Sequence, residues 1–490
     1  MVFVFLKFFI GSIYFFLVGI IGNKYLFNEN LKTNRDYFEF SLIGIVLTSF
    51  LAFLINFFVS LNQIVNDIFF ILPFLIVFFL RKKNLNIIPS KLLFFALTSS
   101  IIATILISYD NVYRPDAGLY HLPYISIISE NKLIIGLSNL HFRFGHTSIL
   151  QYLSASFNNH LFFENGILIP AALIFSFIII FLIYLIFNEK DRFLVFLSFV
   201  FLSFIFFRMN RYSSFGNDAT AHFYYIFLLI YALKFSGYSN YQNFFNKISL
   251  ISIFIFFNKI TMVVAFFVPA IFIFNKNFLR MFSNKVFLSL IVVFSLWIGK
   301  NILNSGCMAF PIEQTCIKSL NWFDKSETRR SNAKSGRIEN EAWTKGAPHQ
   351  NKKTFEEYIS TIEWINIWNK NHGKKIIKKI TPFLIFFLFI LIFLLYKEKI
   401  NNSFREPKLI KNKTIWLLIF INLIGSLIWF FKFPVFRYGY GYLIGLFGIT
   451  LSFVVNNMVD LNIYRFKKIA KYIIILLFIG VSTKHSIRIK

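Results

Sequence analysis

The chain has 490 residues, 57% of them hydrophobic, with a mean hydropathy of +0.64 and a formal net charge of +29. That apolarity excludes a soluble protein with one polar surface, and apolar runs recur near the roughly 20 helical residues that cross a bilayer core of about 30 Å. Much of the charge sits in short clusters at the ends of those runs, as the positive-inside rule expects, so the basic balance does not point to nucleic acid. The 71 phenylalanines are what A/T-rich codon usage and lipid exposure would write, not an aromatic binding surface.

About fourteen runs are predicted to be spanning helices, and the expected fold class is an all-α polytopic membrane protein. The first, "MVFVFLKFFIGSIYFFLVGIIGN", lacks the basic start and small-residue cleavage site of a signal peptide and reads as a span over 2–22. Runs near 39–59, 64–80 and 91–108 follow. A long polar segment, 109–164, separates them from 165–187, 192–207, 219–235, 248–257, 260–274 and 286–303. A second, 304–379, precedes 380–396, 414–431, 441–458 and 470–483. No internal repeat or low-complexity linker is visible. The organisation expected is N-terminal helices 1–90, a core 91–303 carrying the loop 109–164, a loop 304–379, and C-terminal helices 380–490.

Orientation follows from Lys and Arg in the short loops. The clusters at 81–84, 275–280, 397–413 and 465–468 share one side, the expected cytoplasm, if 248–274 is a hairpin broken at "FFNKIT". The long segments 109–164 and 304–379 then lie on the opposite face with the turns 208–218 and 432–440. Within the first, "LYHLPYISIISENK" reads as an interfacial segment with its rings at headgroup depth. Two cysteines occur, Cys307 and Cys316, with eight residues between them, which suits a disulfide in an oxidising compartment. No His lies near them to complete a Zn site.

Polar residues at the extracytoplasmic ends of spans are the ones that need a reason. Asp116, Tyr120, His121, Asn139, His141, Arg143 and His146 fall in the first loop; Arg208, Arg211, Asp218, Lys259, Lys432, Arg437 and Tyr438 fall on the same face. Ionisable groups at membrane depth are costly and tend to face a cavity or a partner. A carboxylate among Arg, Lys and His suits an anionic, phosphate-bearing substrate. Asp116 stands out because Pro115 and Gly118 flank it in a turn. Taken singly, each of the others also fits a solvated or snorkelling side chain. Trp322, Trp343, Trp364 and Trp368 in the second loop read as acceptor contacts or as interfacial anchors.

"RPDAGLYHLPYI", residues 114–125, resembles the first-loop motif of the GT-C superfamily, multi-pass glycosyltransferases that use polyprenyl-phosphate-linked sugars. "FFNKIT" (257–262), "GKNILNSGCMAFP" (299–311) and "FKFPVFRYGYGYL" (431–443) resemble three further motifs of that family, in its order. The "D-x-G-L-Y-H" and "N-L-H-x-R-x-G" patterns resemble a bacterial multi-pass branch of it. The resemblance covers roughly 100–460 and implies a GT-C-like helical bundle of about 12–14 spans in a bacterial inner membrane, its active site facing the periplasm. It implies Asp116 as general base, Arg437 with Lys259 and Arg143 on the donor phosphate, and Tyr120, His121, Asn139, His141 and Tyr438 around the substrate. The implied partners are a polyprenyl-phosphate-linked sugar donor, a glycan, lipid or protein acceptor, and membrane lipid. Two departures stand out. Ala117 replaces a second acidic residue, so no metal is required, although room remains for a divalent cation. The loop also follows the fourth predicted span instead of the first. A transporter or flippase of lipid-linked sugars, a polysaccharide polymerase or ligase, and a non-catalytic scaffold stay open as alternatives.

Overall fold

The computed structural model describes residues 2–80, 87–108, 116–208, 216–235, 241–273, 284–347, 354–400, 413–458 and 462–489. They form helices α1 Val2–Leu26, α2 Asn34–Asn56, α3 Gln63–Leu80, α4 Pro89–Ser108, α5 Leu122–Glu130, α6 Ile149–Ala155, α7 Ile169–Asn188, α8 Arg192–Arg208, α9 Asn217–Phe235 and α10 Tyr241–Asn258. After them come α11 Phe267–Ala270, α12 Lys285–Ser305, α13 Ala333–Thr344, α14 Phe355–Ser360, α15 Trp364–Trp368, α16 Lys374–Ile400, α17 Lys413–Lys432, α18 Phe436–Met458 and α19 Ile463–Ile489. Among the described residues there is no strand, only an isolated bridge between Cys307 and Cys316. The protein is all-α. Among the described residues, eight helical runs are long and apolar enough to cross a membrane: α1, α2, α3, α7 with its preceding turn, α12, the continuous run from α15 into α16, α17 and α18. A helix also occupies each of the other expected spans, but these are shorter or carry more polar residues.

Buried apolar side chains from many helices form one large core. α7, α8 and α9 lie at its centre, buried around nearly their whole circumference, so their sequences show no polar stripe. α3 and α16 sit outside, with Phe78, Phe79, Leu388 and Phe389 exposed as lipid-facing side chains would be. α1 and α2 touch backbone to backbone. A Cβ on Gly19 would fall 1.8 Å from the Phe40 carbonyl oxygen, and one on Gly44 would fall 1.9 Å from that of Phe15. Small residues at such a contact let packing replace the hydrophobic drive that a bilayer does not supply. At the start of α2, Asp36 Oδ2 accepts the Lys32 and Thr33 amides, 2.7 Å each, satisfying donors that the helix leaves open.

The region 248–274 is a hairpin. α10 ends at Asn258, Lys259 is extended (φ −152°, ψ 112°), and a 3₁₀ segment, Ile260–Phe266, leads into α11. The chain then returns: the Tyr241 hydroxyl donates to the Phe272 carbonyl, and the Phe244 and Phe272 rings meet at 4.9 Å. Helix ends therefore sort into two groups. One holds the start of α9, the end of α10 and the start of α18. The other holds Glu29, Arg35, Glu39, Tyr231 and Lys247, joined in a buried network in which Lys247 Nζ lies 2.6 Å from Glu29 and 3.0 Å from Glu39. Of the expected cytoplasmic clusters, 465–468 lies at the start of α19, where Lys467 binds the Phe187 and Glu189 carbonyls beside this second group. The clusters 81–84 and 275–280, and most of 397–413, lie outside the described residues.

The two long loops pack together at the first group of ends. Loop 109–164, described from Asp116, turns through a π-helical segment, Ala117–His121, into α5, which stops at Asn131. Asn56, ending α2, donates to the Ile128 and Asn131 carbonyls, and ties that helix down. The second loop closes a short turn with the Cys307–Cys316 disulfide and buries Phe310, Phe323 and Ala333. Asn304 Nδ2 donates to the Phe144 carbonyl at 2.7 Å, and the Phe310 ring meets His146 at 5.2 Å.

Candidate functional site

The start of α9 reads "NDATAH", and it supplies the site's central carboxylate. Asp218 lies in the first helical turn, where the helix dipole favours negative charge. Its Oδ1 pairs with Lys259 Nζ, and its Oδ2 lies 3.3 Å from Arg437 Nε. Lys259 reaches inward because the hairpin breaks there. Asn258 is fixed by Ser148 and Thr220, at 2.7 and 2.9 Å, and its carbonyl accepts from Asn217 at 2.8 Å. The Lys259 ammonium also lies over the Tyr438 ring, 3.7 Å from its centroid.

Arg437 comes from the first turn of α18, after the turn "FKFPV". Its other face lies 3.7 Å from Asp116 Oδ2, and Nη2 donates to the Tyr438 hydroxyl at 3.4 Å. A cation in the first turn of a helix opposes the dipole, and the two carboxylates offset that. The Arg437 backbone is held from α9. The Gly441 amide donates to His222 Nδ1 at 3.0 Å, which leaves Nε2–H to donate to the Arg437 carbonyl at 2.8 Å. His222 is thus fixed in one tautomer as a support for the turn.

The first loop closes the cluster. Arg143 lies over the Tyr120 ring at 5.4 Å and over Phe142 at 4.8 Å. Burial and the neighbouring Asp116 raise the Tyr120 hydroxyl's pKa, so it remains a donor. Burial pushes His121 down to about 4 and His146 down to about 3, so both are neutral near pH 7. His121 Nδ1 and His146 Nε2 are buried and have no hydrogen-bond partner among the described residues. Asp116 and Arg437 keep about two-fifths of their side chains exposed, so the cluster is open on the Asp116 side.

Eight of the residues singled out in the sequence therefore converge: Asp116, Tyr120, His121, Arg143, Asp218, Lys259, Arg437 and Tyr438. Asn139 and His141 do other work. Asn139 Nδ2 donates to the Trp322 carbonyl at 2.8 Å and joins the two loops. His141 caps the turn 142–145 by accepting from the Arg143 amide, and burial with Arg143 and Arg330 lowers its pKa. Lys432 lies 3.7 Å from Glu341 in the second loop. Arg114, Pro115 and Arg211 lie outside the described residues, so the expected turn at Pro115 does too. Lys300, in "GKNILNSGCMAFP", is buried against Trp297 and Thr147 and supports the first loop from below. Trp322 and Trp368 donate to the carbonyls of Ile302 and Pro434, and Trp364 is buried, whereas Trp343 is 47% exposed.

Asp218 is the residue that sequence reasoning placed on the right face without giving it a role. An Asp and a His four apart share one helical face, and "DATAH" at the mouth of an apolar run was the available signal. Among the described residues, no three His, Cys, Asp or Glu side chains are grouped so as to hold a metal ion. Chemically, the cluster offers three cations around two carboxylates, with neutral imidazoles and phenols beside them. Such a set binds an anionic group and keeps a carboxylate within reach of it.

No curated protein and no solved structure matches the chain. A family model described as "Domain of unknown function (DUF8201)" matches residues 1–444, from the first helix into α18, and so includes every residue of the cluster. The chain belongs to the DUF8201 family.

Proposed function

We propose that the protein is a GT-C-type membrane glycosyltransferase that moves a sugar from a polyprenyl-phosphate-linked donor to an envelope glycan, lipid or protein acceptor at the periplasmic face. One observation carries the reading. The stretches around Asp116, Lys259 and Arg437, each resembling a different motif of that superfamily, meet at one point although more than 100 residues separate them in sequence. Asp116 accepts the proton of the acceptor hydroxyl, and that oxygen attacks the anomeric carbon. The bond from the anomeric carbon to the phosphate oxygen breaks, and the lipid phosphate leaves as an anion with inversion at carbon. General-base assistance of this kind contributes on the order of 10²–10⁴-fold. Arg437, Lys259 and Arg143 stabilise the departing phosphate, more strongly where lipid and protein exclude water. Tyr120 and the unpartnered nitrogen of His121 are suited to sugar hydroxyls.

The test is consumption of undecaprenyl-phosphate-linked sugars by the purified protein in nanodiscs, wild type beside Asp116→Asn. Turnover by wild type and a loss of at least about 100-fold in the variant support the reading. Equal rates in two folded proteins would remove Asp116 as the base. Lipid-linked sugar moved across a vesicle bilayer without bond cleavage would favour the transporter.

A further inference from the structure

The head of α16 carries a second basic feature, and it is separate from the site. Lys374, Lys375, Lys378 and Lys379 lie within six residues, are all exposed, and form no ion pair among the described residues. At about 100° per residue they cover one arc of about 140°, while Ile376, Ile377 and Ile380 occupy the other side. Ile377 is 63% exposed, and about 10–18 Å further along the same helix Leu384, Ile385, Leu388 and Phe389 are exposed as well. The lysines thus sit where a lipid-facing helix leaves the hydrocarbon. They lie at the Arg437 end of the bundle: the Trp368 indole donates to the Pro434 carbonyl at 2.7 Å, and the Trp364 and Trp368 rings pack on Phe430 at 5.6 and 5.2 Å.

Lys467, at the other end of the bundle, is where the positive-inside rule expects basic residues, whereas this cluster stands at the opposite end, at the start of a span. We infer that the lysine collar at the head of α16 is a docking surface for the phosphate headgroups of anionic phospholipids in the leaflet on the Arg437 side. Charge complementarity asks for an anion, and the isoleucine face beside the lysines asks for acyl chain. An acidic glycan would satisfy the lysines and leave Ile377 and Leu384 uncovered. Through Trp368 and Pro434, a lipid held there braces the turn that carries Arg437. The inference does not depend on the proposed transferase activity.

The experiment is quenching of tryptophan fluorescence in nanodiscs by brominated phosphatidylglycerol or brominated phosphatidylcholine at equal mole fraction. The comparison is between wild type and a variant carrying Lys374→Gln, Lys375→Gln, Lys378→Gln and Lys379→Gln. A lysine near an anionic surface favours association by roughly fivefold, so the wild type is expected to show at least about twofold stronger quenching by phosphatidylglycerol. The excess should fall with added salt and disappear in the variant. The difference between the proteins separates the collar from Trp416, which is exposed at the other end of α17. Equal quenching by the two lipids in wild type, or an excess that persists in the variant, overturns the inference. So does a salt-sensitive preference for a soluble acidic glycan with no lipid preference. The salt titration on wild type decides the matter if the variant does not fold.

Discussion

Arg437 and Asp218 form an ion pair, Nε to Oδ2 at 3.3 Å, while the same guanidinium lies 3.7 Å from Asp116. One cation thus stands between two carboxylates that lie far apart in sequence. An anionic ligand arriving at this point meets a guanidinium already oriented and a Lys259 ammonium fixed by the same Asp218. Arg437→Lys keeps the charge and loses the planar fork, so the structure predicts weaker binding of undecaprenyl phosphate by about 10-fold or more. Arg437→Ala should cost up to about 100-fold. Titration of the lipid phosphate into protein in detergent, followed by calorimetry, measures both. Unchanged affinity in either variant would take Arg437 out of the phosphate site.

Asp218 gives a prediction of a different kind. With Asp218→Ala, the Lys259 ammonium and the Arg437 guanidinium lose the carboxylate between them, and Lys259 is largely buried. Leaving a buried charge without its partner costs about 3 kcal/mol or more, reduced here because Asp218 itself is a quarter exposed. The melting temperature should drop by several degrees. A bound phosphate would supply the missing anion, so added undecaprenyl phosphate should raise the melting temperature more in Asp218→Ala than in wild type. If ligand stabilises the variant no better, the two cations do not face the ligand.

Much of this arrangement was legible in the sequence, and the limits have physical causes. Helices occur at the places the apolar runs indicate, because length and apolarity suffice to define them. The hairpin broken at "FFNKIT" could be read because it puts the basic clusters of the short loops on one side, and Lys259 at the break finds Asp218 as its partner. The disulfide partners were the only two cysteines in the chain. The directions of Asn139 and His141 were not legible, because a polar side chain in a loop shows its chemistry but not where it points, and both meet backbone groups of the loops. Asp218 was passed over because it opens an apolar helix, and what it pairs with is set by where α10 and α18 end. The buried lysine Lys300 is a further case: nothing in "GKNIL" says that it turns under the first loop.

Acid should destabilise the first loop. His121 and His146 are held by burial at about 4 and about 3, well below the ordinary imidazole value of about 6.5. Between those values the unfolded chain binds protons that the folded chain does not. Stability is therefore full above about pH 6.5 and declines as the pH falls toward 4, by on the order of 2 kcal/mol per histidine. Thermal unfolding of the detergent-solubilised protein from pH 7.5 to 4.5 measures the decline, and His146→Gln should make it shallower. A melting temperature that is flat across that range, in wild type, would mean that these imidazoles are solvated.

The network at the opposite end of the bundle separates stability from the site. Tyr231 lies 13 residues after Asp218 on α9, about 20 Å along the helix axis, and binds Glu39 together with Lys247. Lys247→Met leaves Glu39, which is buried, with Tyr231 and Arg35 as its remaining partners among the described residues, and adds no group that satisfies it. Breaking a buried pair in this way costs about 3–5 kcal/mol. The double variant Lys247→Met with Glu39→Gln removes both charges and should recover much of that loss, because the desolvation penalty of the carboxylate disappears with its charge. Urea or thermal unfolding of the three proteins gives the coupling as a double-mutant cycle. Binding of undecaprenyl phosphate by the folded fraction should match wild type in all of them, since no member of the network touches Lys259 or Arg437. A loss of binding in the double variant with stability restored would show instead that the two ends of α9 are coupled.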